Sequence, residues 1–91
     1  MTSPTALIAG NWKMNGVAAS LAEAQAVAAG IQSAKAREAI CPPATLVARA
    51  AAALEGGKVL VGGQDCRAEV SGAFTGDVAA EMLADAGATL V

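Results

Sequence analysis

Histidine and tyrosine are absent from this 91-residue chain, and phenylalanine and tryptophan occur once each. The two cysteines, Cys41 and Cys66, stand far apart and form no C-x-x-C pair. The donor set for a zinc site is therefore missing, and neither a metal nor a cofactor is expected. The thiols read as reduced and partly buried, as in a cytoplasmic protein. An excess of positive charge is also lacking: six Lys and Arg against eight Asp and Glu leave a net charge of −2. That balance argues against nucleic acid as a partner. No apolar run approaches the ~18 residues of a membrane-spanning helix. Met1 to Thr5 has no basic segment leading into an apolar run, so no secretory leader is expected. Neither G-x-G-x-x-G nor G-x-x-x-x-G-K-[ST] occurs, which leaves nucleotide binding through either loop without support.

The scarcity of large side chains has a further consequence. The chain is 55% hydrophobic, but much of that count is alanine, which buries little area. At about 25 cal/mol per Å² of apolar area, such burial barely offsets a backbone entropy of ~1–2 kcal/mol per residue. The length allows one small domain at most, and the composition reads as part of something larger. Lys35, Arg37, Arg49, Lys58 and Arg67 read as solvated surface.

What is present alternates between strand and helix. Ala6 to Asn11 is short and mostly apolar and reads as a buried strand. Ser20 and Glu23 have capping-box spacing at the start of a helix whose apolar stripe is Val17, Leu21, Ala24, Ala28 and Ile31. Glu38 to Cys41 reads as a second strand, stopped by Pro42 and Pro43. A second helix follows over 44–54, with Leu46, Val47, Ala50 and Leu54 facing inward and Gly56-Gly57 beyond its end. Lys58 to Gly63 is a third strand, and Gln64 to Gly76 a long polar loop. A third helix is expected from Asp77 to Ala86, with Val78, Met82 and Ala86 on one face and Asp77 favoured by the helix dipole. Ala88 to Val91 begins a fourth strand. Alternation of this kind implies a parallel sheet with right-handed crossovers, either barrel or doubly wound.

In parallel α/β folds, ligands bind beyond the carboxyl ends of strands. Asn11 and Lys13 lie at the first such end. A lysine there can stabilise charge that develops on oxygen, and a carboxamide can orient a small anionic substrate. Spacing alone also fits ordinary turn chemistry with a solvated lysine. Trp12 reads as packing beside the first strand. The carboxylates of Glu69 and Asp77 belong to a loop and are not read as an acid–base pair.

The string Gly10-Asn11-Trp12-Lys13-Met14-Asn15 closely resembles the opening signature of the triosephosphate isomerases. Cys41-Pro42-Pro43-Ala44-Thr45-Leu46, Gly63-Gln64-Asp65, Gly72-Ala73-Phe74-Thr75-Gly76-Asp77 and Ala86-Gly87-Ala88-Thr89-Leu90-Val91 resemble further motifs of the same family, in the same order. The resemblance covers essentially the whole chain. It implies an α/β fold: part of a TIM (β/α)8 barrel, with three β/α units plus the start of a fourth strand. Residues 1–91 would be the N-terminal part of a single barrel domain.

The family interconverts dihydroxyacetone phosphate and glyceraldehyde 3-phosphate through an enediolate, in glycolysis and gluconeogenesis, without cofactor or metal. By resemblance, Lys13 is the catalytic and substrate-binding lysine and Asn11 a substrate contact; Gln64, at the third strand end, reads as a supporting residue around them. Gly72, Ala73, Phe74, Thr75, Gly76 and Asp77 form the loop that enters the neighbouring subunit of a homodimer, and Met14 and Asn15 belong to the surface that receives it. Thr75 would lie near the partner's Asn11 and Lys13. The family commonly has Glu where Asp77 stands. The family pairs a glutamate base with a neutral histidine. Both would lie beyond Val91, and this chain has no histidine. The 91 residues alone are therefore expected to be inactive. Two other readings stay open: a non-enzymatic α/β module that binds a phosphorylated metabolite, and a self-associating piece with exposed strand edges.

Overall fold

A computed structural model describes residues 3–31 and 35–91; Met1 and Thr2 of the opening stretch lie outside it. The elements are β1 (Leu7–Asn11), α1 (Leu21–Gly30), β2 (Arg37–Cys41), α2 (Val47–Ala53), β3 (Val59–Val61) and α3 (Ala80–Ala86). Short 3-10 turns, Ala18–Ser20 and Ala44–Leu46, lead into α1 and α2.

The three strands form one parallel sheet in the order β1-β2-β3. Leu7 to Asn11 pair in register with Arg37 to Cys41, and Glu38 to Ile40 with Val59 to Val61. A fourth segment joins β3: Gly62 bridges Leu90 in parallel, Thr89 N–H donates to Val61 O, and Gly63 N–H donates to Leu90 O. This placement separates the two architectures that alternation leaves open. In the common doubly wound order the fourth strand returns beside the first. Here each new strand adds to the last, which is how a barrel wall winds.

Strand alternation sends Ile40, Val59 and Val61 to the helical face, where they meet Ala24, Val47, Ala50, Leu54 and Leu83 in the core. The central α2 contacts α1, α3 and β3. Its expected inward set is buried throughout: Leu46, Val47, Ala50 and Leu54 are 1%, 1%, 0% and 6% exposed. Gly63 is required by close approach, since a Cβ there would lie 2.5 Å from Leu83 Cδ1. Gly87, at φ +109°, ends α3 in the left-handed conformation that favours glycine.

Four expectations need correction. The first strand is exposed along its whole length, because β2 pairs it on one side and it forms the edge of the described sheet. The capping box does not form. Ser20 Oγ instead accepts from Val17 N–H at 3.1 Å within the turn before α1, and Val17 stays outside the apolar stripe. The third helix begins at Ala80, not Asp77. Arg67 holds the preceding residues extended, by a parallel bridge to Ala79 and a hydrogen bond to Val78 O. Of the expected inward face, Val78 and Ala86 are partly buried against the core but Met82 is exposed, and the fully buried residues here are Ala79 and Leu83. Finally, Arg67 is no free surface cation, since it bonds Glu69 and Asp77.

Candidate active site

The carboxyl ends of the three strands are tied together by one side chain. Gln64, just past β3, donates from Nε2 to Lys13 O and to Cys41 O, each at 2.9 Å. Trp12 N–H donates to the same Cys41 carbonyl at 3.0 Å. The turn after β1 is thereby anchored to β2 and β3, though 51 residues separate Lys13 from Gln64. Trp12 packs against the core cluster and fixes the inner side of this turn.

Within the turn, Asn11 Oδ1 accepts the Lys13 N–H at 2.8 Å, an Asx turn. Lys13 O accepts from Asn15 N–H at 2.9 Å as well as from Gln64. These bonds hold Lys13 at φ +57°, the only positive φ outside glycine among the described residues. A β-carbon in the left-handed region costs roughly 1–2 kcal/mol. Strain of this kind persists where surrounding bonds over-determine it, and it clusters at functional sites.

Two polar groups of the turn stay uncommitted among the described residues. With Asn11 Oδ1 occupied, its amide NH₂ is the free donor. The Lys13 ammonium is exposed and forms no ion pair among the described residues. A carboxamide donor and an unneutralised cation so placed suit an anionic substrate with a carbonyl oxygen. Neither residue lines the two clefts nearest this end of the sheet. One, of about 200 Å³, is bordered by Gln64, Asp65, Cys66, Arg67, Asp77 and Leu83. The other, of about 310 Å³, is bordered by Trp12, Asn15, Gly16, Ser20 and Glu23. Burial pushes the Cys41 thiol up from its ordinary range.

The segment Gly72 to Asp77 stands apart from this turn. All six residues are exposed, and among the described residues no hydrogen bond or ion pair joins them to Asn11 or Lys13 of the same chain. Met14 is also fully on the surface, at 96% exposure, with Asn15 exposed beside it. Sequence reasoning missed Arg67. Its guanidinium bonds Glu69 Oε1 at 3.0 Å and Asp77 Oδ2 at 3.2 Å and lies 3.6 Å from the Phe74 ring centroid. The hydrogen bond to Glu69, followed by the Asp77 contacts, pushes its pKa further up. The signal was an arginine two residues before a glutamate in a segment holding the chain's only phenylalanine.

Among the described residues no helix is long and apolar enough to cross a membrane. The sequence model of the triosephosphate isomerase family matches residues 6–91. A triosephosphate isomerase from Caulobacter vibrioides is 59% identical, covering 99% of this chain and 36% of the relative. One from Afipia carboxidovorans is 63% identical, covering 93% of this chain and 35% of the relative. The crystal structure of triosephosphate isomerase from Bartonella henselae superposes with a TM-score of 0.90 at 48% identity, covering 96% of this chain and 37% of that one. The chain thus spans about a third of the length of the curated relatives it matches.

Proposed function

This chain belongs to the triosephosphate isomerase family, and from that premise we propose that it supplies the N-terminal part of a single (β/α)8-barrel domain that interconverts dihydroxyacetone phosphate and D-glyceraldehyde 3-phosphate through an enediolate. The reaction belongs to glycolysis and gluconeogenesis and to the cytoplasm, and the working form is a homodimer.

Lys13 is the catalytic residue of this segment. Its ammonium balances the substrate phosphate and the negative charge that grows on oxygen as the enediolate forms. The Asn11 amide NH₂ orients the substrate, and Gln64 positions both through the Lys13 carbonyl. The loop 72–77 enters the partner subunit and sets Thr75 beside that subunit's Asn11 and Lys13, while Met14 and Asn15 form the receiving surface. No cofactor takes part. The chain has no histidine, so its imidazole partner must come from outside these 91 residues, and alone they give no turnover.

The observation that carries this reading is the left-handed Lys13, held by Asn11 and Gln64 at the end of β1. In the natural polypeptide, Lys13→Ala is expected to lower kcat/KM by about a hundredfold to a thousandfold with the fold intact, because a preorganised charge contact is lost. An unchanged kcat/KM would remove Lys13 from the mechanism.

A further inference from the structure

The loop between Arg67 and Ala79 carries its own scaffold. Its ends are pinched by the Arg67–Ala79 bridge and by the Arg67 N–H bonded to Val78 O at 2.9 Å. The Arg67 side chain then reaches three separated points of the loop. Nε meets Glu69 on the outgoing limb, the guanidinium face lies over Phe74 at the tip, and Nη1 meets Asp77 on the return. A loop of this length without helix or strand is ordinarily among the mobile parts of a fold. Here one planar cation takes a carboxylate on each of two edges and an aromatic ring on its face, a combination arginine can make and lysine cannot.

We propose that Arg67 is a positioning residue that latches the loop 68–77 into one projecting shape within its own subunit. Resting on the reading of this loop as the subunit contact, the latch presents Thr75 to the partner already formed. Preorganisation lowers the ordering cost of association. The latch therefore acts on dimer affinity and leaves chemistry in the assembled dimer unaltered.

The test uses the natural polypeptide with Arg67→Met and Arg67→Lys, and Asp77→Asn as a milder variant that releases one arm. Amide hydrogen exchange is followed over 68–77 and in β2 and β3, and the dimer dissociation constant is measured by sedimentation. Arg67→Met is expected to speed loop exchange by about tenfold, with strand exchange unchanged. The dimer weakens in parallel, and kcat at saturating protein concentration stays at the parent value. Arg67→Lys and Asp77→Asn fall between parent and Arg67→Met. Parent-like loop exchange in Arg67→Met, or full protection restored by Arg67→Lys, overturns the latch. Faster loop exchange with an unaltered dimer constant supports the latch while removing the reading of this loop as the subunit contact.

Discussion

Lys13 combines a strained backbone with an exposed charge, and the two features can be separated by substitution. Its φ of +57° crowds a β-carbon against the backbone. Glycine removes that crowding, although it adds freedom to the unfolded chain worth about 0.4–1 kcal/mol. Lys13→Gly and Lys13→Ala both delete the ammonium, but only glycine relieves the strain. In the natural polypeptide, Lys13→Gly is expected to be more stable than Lys13→Ala by up to about 1 kcal/mol in denaturant unfolding, while both lose turnover alike. A Lys13→Gly protein less stable than Lys13→Ala would mean that the turn holds lysine without strain. Gln64 explains why the strain survives. Its amide anchors the Lys13 carbonyl to β2 and β3, so the turn cannot relax without giving up a hydrogen bond in each direction.

At the scale of elements, the contact between α3 and the end of β3 is the most sharply defined. Leu83 is 6% exposed and packs on Gly63. Leu83→Ala is expected to cost about 2–5 kcal/mol through the cavity it leaves. Gly63→Ala is expected to cost about 1–3 kcal/mol, because the new methyl meets Leu83. The double variant should cost less than the sum by about 1 kcal/mol, since the added methyl enters the vacated space. Strict additivity in urea unfolding of the four proteins would show that the two sites do not share that space. The same helix marks where the sequence was legible and where it was not. Periodicity located each strand and helix, and the inward set of α2 follows from Leu46, Val47, Ala50 and Leu54 because local spacing alone decides it. The start of α3 and the burial of Leu83 in place of Met82 were hidden, since they depend on Arg67 bonding Val78 and bridging Ala79 from outside the helix. The Asn11–Lys13 turn was visible as a motif. Its left-handed lysine was not, because the Gln64 bond that sustains it spans 51 residues.

At the scale of the whole molecule, the described fold is a slab of 44 × 40 × 21 Å. Its radius of gyration of 13.8 Å exceeds the ~12 Å expected for a compact domain of this length. The excess is consistent with an edge that nothing covers among the described residues. β1 has every residue exposed, with Leu7 at 40% and Ile8 at 60%. Its outer backbone groups face no described strand. Ile8 lies on the helical face, opposite Glu38, and yet stays outside the core cluster. An unpaired, flat, apolar edge is a template for another strand, and natural sheets blunt such edges with charge. β1 carries none between Leu7 and Asn11. Residues 1–91 produced alone are therefore expected to associate, with a sedimentation coefficient that rises with concentration. Ile8→Lys places a cation on that edge and should shift the material toward monomer, whereas Val27→Lys, on the exposed side of α1, should not. A single concentration-independent monomer boundary for the parent sequence, or equal suppression by both lysines, would place the attraction elsewhere than the β1 edge.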